Sequence, residues 1–298
     1  MHHPPRIAVW LRETRANFLV LSVALVAIGG AAAARRGSFT WGTFALTLLG
    51  VVSAHVSVNL FNEYSDWRTG IDEHTLKTPF SGGSGTLQAG LLKPAAVLAA
   101  AWGTLAAAFL IGLGLAWISG WQVLPLMAAG GITVLLYSDL FARLAIGELA
   151  SGVTLGSFVV LGSFFVQTGA FDTGILWASV PPGLSTALLL FLNEFPDADA
   201  DRAGGRRHLV IALGKRKAAF LYAFAMVCVY FSVILGVTVG GMRKGTLICL
   251  FTIPIAAKAV SLTLRHFHDA RLIVPALGWN VAVVLGTDFL LAAGFLIG

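Results

Sequence analysis

An all-α, polytopic membrane protein with about nine spanning helices is the fold class that this sequence predicts. Of 298 residues, 57% are hydrophobic and only 11% are charged, against about 25% charged in an ordinary soluble domain. The mean hydropathy is +0.84. The apolar residues are gathered into stretches of roughly 20, the length that a helix needs to cross a bilayer, and the charges collect in the gaps between them.

Taken in order, the stretches run over residues 17–34, 40–62, 94–117, 121–138, 147–168, 174–195, 217–240, 245–263 and 272–297. The first resembles a signal peptide, because Arg6, Arg12 and Arg15 precede an apolar run ending in Ala31-Ala32-Ala33-Ala34. Eight further stretches follow, so the class stands either way, and this run is taken as the first span. Residues 1–298 are expected to form a single transmembrane domain, with its long connections near 64–93 and 196–216.

Those connections decide the orientation. With the N-terminus in the cytoplasm, fifteen Lys and Arg residues fall on the cytoplasmic side and four outside (Arg35, Arg36, Arg243, Lys244), with Lys258 inside a span. Cytoplasmic loops carry the excess of Lys and Arg in membrane proteins, so the cytoplasmic (inner) membrane is expected, with function on the cytoplasmic side. The basic excess is therefore topological, and no nucleic-acid partner is implied. Cys228 and Cys249 both lie in apolar segments, which indicates neither a disulfide framework nor a zinc site. Gly152 with Gly156 and Gly236 with Gly240 permit close helix packing, within or between subunits.

The end of the second stretch carries the chemistry. On a helix, His55, Asn59, Asn62 and Asp66 stand at offsets of 0, 4, 7 and 11, which places them on one polar stripe. An intramembrane carboxylate costs on the order of 2.5 kcal/mol or more unless it faces a wet or metal-filled space. A matching stripe occurs at the end of the sixth stretch, where Asn193, Asp197 and Asp201 repeat every four residues. Either stripe alone reads as a helix cap; two with the same spacing on the same membrane side read as a site. Hard oxygen donors without Cys or His at the same spacing suit magnesium or calcium. Magnesium is commonly shared with substrate phosphates, and Arg68, Lys77, Arg143, Arg206 and Arg207 follow the stripes. Arg143 also stands four residues after Asp139, the spacing of a helical ion pair. Asp288, deep in the ninth stretch, is a further carboxylate that could face the same space.

The chain resembles the UbiA-type intramembrane prenyltransferases over nearly its whole length. The resemblance rests on Asn62, Asp66 and Asp72 as Asn-x3-Asp-x5-Asp, on Asp197 and Asp201 as Asp-x3-Asp, and on the surrounding Tyr64-Ser65-Asp66, Gly70-Ile71-Asp72, Thr78-Pro79-Phe80-Ser81-Gly82-Gly83 and Gly204-Gly205-Arg206-Arg207-His208-Leu209. These resemble most the branch that prenylates 1,4-dihydroxy-2-naphthoate for menaquinone. The resemblance implies one helical bundle around a central cavity, in which two magnesium ions bridge the aspartates and a polyprenyl diphosphate. It implies Asp66, Asp72, Asp197 and Asp201 as catalytic residues and metal ligands, joined as ligands by Asn62 and Asn193. Arg15, Asn59, Lys77, Tyr137, Arg143 and Arg207 are implied as substrate contacts. Arg15 is followed by Ala16 where the family usually has proline. The expected partners are a polyprenyl diphosphate, an aromatic acceptor and the lipid bilayer, with no obligate protein partner. The same machinery serves 4-hydroxybenzoate, homogentisate, tetrapyrrole, haem and glycerol-phosphate lipid acceptors. An ion-coupled transporter and a non-catalytic lipid-binding scaffold are the readings from other classes.

Overall fold

Each of the nine apolar stretches becomes a helix in the computed structural model, which describes residues 5–71 and 75–297. A short amphipathic helix, α1 (Arg6–Glu13), leads in, exposing Ile7 and Leu11 while burying Val9 and Glu13. The spans are α2 (Ala16–Arg35), α3 (Trp41–Thr69), α4 (Pro94–Ser119), α5 (Val123–Leu144), α6 (Gly147–Thr168) and α7 (Thr173–Ala203). After a five-residue helix α8 (Leu209–Leu213) come α9 (Lys215–Thr238), α10 (Lys244–His266) and α11 (Val274–Ile297). No strand occurs among the described residues.

The outside of the bundle is apolar: Phe109, Phe224, Phe231 and Phe251 are all more than half exposed. Such a surface suits lipid and not water. At the end of the bundle remote from the two motifs, Trp41, Trp117 and Trp121 are exposed, the position in which tryptophan marks a membrane interface. The interior has two adjoining cores. Leu25, Ile28, Val160, Phe164 and Leu291 join α2, α6 and α11, while Phe191, Phe195, Tyr222, Met226 and Leu277 join α7, α9 and α11.

Two spans run further than their apolar stretches. The second was expected to end at residue 62 and continues to Thr69, where Gly70 closes it with φ +72°. The sixth was expected to end at 195 and continues through Pro196 to Ala203. Hydropathy falls at both places because polar side chains enter; Asp66, Asp197 and Asp201 turn into the interior cavity while Arg68, Asp199 and Arg202 lie on the exposed side of the same turns, so the backbone has no reason to leave the helix. Residues 64–69 and 196–203 are thus helical extensions and not loop.

The glycine pairs act within the chain. A Cβ on Gly156 would lie 2.8 Å from the Gly183 Cα, and one on Gly152 would lie 2.7 Å from the Gly183 carbonyl oxygen, so α6 and α7 touch backbone to backbone. Gly240 likewise packs against Trp177 of α7. Gly156→Ala is therefore expected to lose about 1–3 kcal/mol through overpacking, seen as a lower melting temperature in detergent. Gly103→Ala, where nothing lies within 4 Å, should leave the melting temperature unchanged or raise it slightly.

Candidate active site

Between α2 and α7 lies a cavity of about 400 Å³, walled mainly by apolar side chains such as Leu25, Val51, Leu115, Val134, Phe158 and Leu189. One end is polar. Arg15, Asn59, Asn62, Asp66, Tyr137, Asn193, Asp197 and Asp201 all line it. The two motifs, 131 positions apart between Asp66 and Asp197, thus share one hollow.

Helix periodicity explains the α3 side. His55, Asn59, Asn62 and Asp66 all face the cavity. The Asn62 amide donates to Asp66 Oδ2 at 3.1 Å and its carbonyl accepts from the Ser138 hydroxyl at 3.1 Å. Asn59 donates to the Thr14 carbonyl at 2.9 Å, which fastens the N-terminal segment. On α7, Asp197 Oδ2 accepts from the Gly82 N–H at 3.2 Å, and Asn193 Oδ1 has no hydrogen-bond partner. Gly82 is required for that approach: its φ is +83°, and a Cβ there would lie 2.6 Å from the Leu76 carbonyl oxygen.

Arg206 ties the motifs together. It donates through Nη1 to Asp201 Oδ1 at 3.0 Å and through Nη2 to Asp66 Oδ1. Burial opposes its charge, but the Asp66 and Asp201 carboxylates outweigh that and hold the guanidinium protonated, above its ordinary range. The other cavity cation, Arg15, adopts a left-handed backbone (φ 50°) and pairs with Glu63 at 2.7 Å. Glu63 is 1% exposed and also accepts from the Ser84 N–H at 2.8 Å. Beside it, burial pushes the Glu13 carboxyl above its usual range, partly offset by hydrogen bonds from Ser84 and Thr86. One ion pair therefore pins both the N-terminal helix and the 81–86 loop to α3.

Several expected residues lie elsewhere. Lys77, Arg143 and Arg207 are exposed and do not line the cavity. Arg207 instead donates its backbone N–H to the Ala142 carbonyl at 2.8 Å. Asp139 pairs with Arg68 at 3.0 Å and not with Arg143, because a wide π-type turn over Tyr137–Phe141 breaks the four-residue phase. Asp288 is fully buried outside the cavity wall. Asp72 lies outside the described residues.

Arg206, expected among the cations near the two stripes, does line the cavity, and Glu148, Glu194 and His208, to which the residue spacing gives no role, line it too. Glu148 gave the clearest available signal, an ionisable residue in an apolar span. Asn62, Asp66, Asn193, Asp197 and Asp201 offer only oxygen donors toward the hollow, a set that fits magnesium, and the unsatisfied Asn193 oxygen is consistent with a ligand there.

The sequence model of the UbiA prenyltransferase family matches residues 22–287. The chain belongs to that family. As a UbiA member it is a prenyltransferase. It is 28% identical to the Bacillus subtilis 1,4-dihydroxy-2-naphthoate octaprenyltransferase over 85% of this chain and 81% of that one. It is 31% identical to the Mycobacterium tuberculosis enzyme of the same name over 72% and 73% of the two chains. Among solved UbiA structures, the homolog from Aeropyrum pernix matches with a TM-score of 0.66 at 19% identity, over 90% of this chain and 98% of that one. The Archaeoglobus fulgidus homolog bound to GPP and Mg2+ matches with a TM-score of 0.61 at 13% identity, over 93% and 99%. These two share the fold.

Replacing Arg206 by Gln would leave the Asp66 and Asp201 carboxylates buried without their shared cation. Removing one member of a buried ion pair costs about 3–5 kcal/mol. A marked fall in melting temperature in EDTA is expected, smaller when magnesium is added.

Proposed function

We propose that this prenyltransferase moves a polyprenyl group from its diphosphate to an aromatic acceptor, 1,4-dihydroxy-2-naphthoate, in a magnesium-dependent reaction. The observation that carries this is the meeting of Asn62, Asp66, Asn193, Asp197 and Asp201 at one end of a cavity whose other walls are apolar. The naphthoate acceptor is supported by the names of the Bacillus and Mycobacterium relatives, and magnesium by the GPP- and Mg2+-bound homolog. Magnesium bound by those five residues, as two ions with Asp72 as a further ligand, would neutralise the departing diphosphate.

The chain's own residues supply the rest. Arg15 and Arg206 place two guanidinium groups at the polar end, where preorganised cations stabilise developing negative charge. The Tyr137 ring lines the polar end beside these groups, an aromatic face near where the reacting carbon and the acceptor ring would meet. Breaking the allylic carbon–oxygen bond leaves a carbocation that the acceptor ring attacks, with loss of carbon dioxide from the naphthoate restoring aromaticity. The apolar walls keep water from quenching that cation. The cation bias of the connections orients the polar end toward the cytoplasm, in the inner membrane.

Purified protein incubated with magnesium, geranylgeranyl or farnesyl diphosphate and a panel of aromatic acceptors should form prenylated naphthoate, read by mass. Asp66→Ala and Asp197→Ala should each lower turnover on the order of 100-fold or more while the protein stays folded and inserted. Product formation that survives chelation of magnesium, or near-normal turnover in either variant, would overturn the assignment.

A further inference from the structure

Behind the second motif, Glu148 of α6, Glu194 of α7 and His208 of the following turn bring one ligand atom each to within 4.8 Å of one another. Glu148 and His208 are 2% and 3% exposed. Glu148 Oε1 accepts from the Leu209 N–H at 2.7 Å and the Glu148 and Glu194 carboxyls are in side-chain hydrogen-bond contact, but Glu148 Oε2, Glu194 Oε2 and both His208 ring nitrogens are left without a well-aligned partner. Buried polar atoms are nearly always satisfied, and a group of them without partners calls for an ion or a water. The charges agree. Glu148, Glu194 and Asp201 face one another with Arg206 as the neighbouring cation, and that guanidinium is already taken by Asp66 and Asp201.

We propose that Glu148, Glu194 and His208 form a separate binding site for a divalent transition-metal ion, distinct from the all-oxygen magnesium site on the motif carboxylates. An imidazole in the donor set favours zinc or iron(II) over magnesium and calcium, with manganese, the weakest binder of the series, usable as a paramagnetic probe of the same site. His208 Nδ1 lies 3.3 Å from Glu194 Oε2, close to the separation of about 3.4 Å between two ligands bonded at about 2.1 Å to one tetrahedral ion. The other ring nitrogen, Nε2, lies 3.2 Å from Asp201 Oδ2. The contact lacks hydrogen-bond alignment, but a small rotation of the ring on binding an ion would let Nε2–H donate to that carboxylate, as the second N–H of a ligating histidine does. The ion would neutralise the Glu148–Glu194 pair and join α6, α7 and the 206–209 turn, and through His208 it would hold Asp201 in place. The inference goes beyond the prenyl-transfer reading and does not depend on it.

The test is spectroscopic and needs no turnover. Full-length protein loaded with manganese in detergent should show electron–nuclear modulation from a directly bonded imidazole nitrogen, which oxygen-only sites cannot produce. After dialysis against magnesium, one equivalent of manganese or zinc should remain by elemental analysis. Asp66→Asn should keep the nitrogen signal, His208→Gln should abolish it, and Glu148→Gln should weaken retention about tenfold or more. Absence of nitrogen coupling in the wild-type protein would overturn the proposal and leave an imidazole held between Glu194 and Asp201 by protons alone. Persistence of the coupling in His208→Gln would overturn it equally, by locating the ligand at another histidine.

Discussion

The architecture depends on how carboxylates survive at one end of a bundle whose outside is lipid-facing. Asp66 and Asp201 are 3% and 4% exposed and come from helices far apart in the chain. Left unopposed, they would repel one another and drive α3 and α7 apart. Arg206, arriving from the turn after α7, makes contact with both. Because its partners are deeply buried, this pair of contacts is a condition for the two motif helices to close on one cavity, and not a surface ornament.

A second arrangement of the same kind stabilises the rim. Glu63, one residue past the motif asparagine, points away from the cavity stripe and receives Arg15 and the Ser84 N–H. Through this one carboxylate, the amphipathic N-terminal helix and the glycine-rich loop are fixed to α3. Gly82 in that loop then presents its N–H to Asp197. The cavity mouth is therefore assembled from three separate stretches of chain through charged and backbone contacts, while its walls are assembled mainly by apolar packing, with the Ser22–His55 hydrogen bond at 2.9 Å as a polar tie between α2 and α3.

The helices were legible in the sequence because a bilayer imposes a length on every apolar run, and each run became a span with its ends displaced by a few residues. The motif stripe on α3 was equally legible, since His55, Asn59, Asn62 and Asp66 obey simple helical phase. Hydropathy cannot see where a helix ends when its last turns are polar on the inside, so the extensions to Thr69 and Ala203 escaped it. Nor can spacing choose between adjacent arginines: Arg206 turns inward and Arg207 outward because the Arg207 backbone is committed to Ala142. The wide turn at Tyr137–Phe141 leaves no mark in the residue pattern, yet it decides the partner of Asp139. Glu148 and His208 were overlooked because neither belongs to a repeated spacing; only the fold brings them together.

Among the described residues, every side chain bordering the cavity comes from the part of the chain between Arg15 and His208. The last three spans contribute packing and no lining. Selection for a new isoprenoid tail or a new ring system can therefore act on the front two-thirds of the polypeptide, while the rear third drifts under the sole demand that it continue to brace α2 and α7. Divergence between descendants with different substrates should be lopsided along the chain, concentrated in the walls ahead of α9.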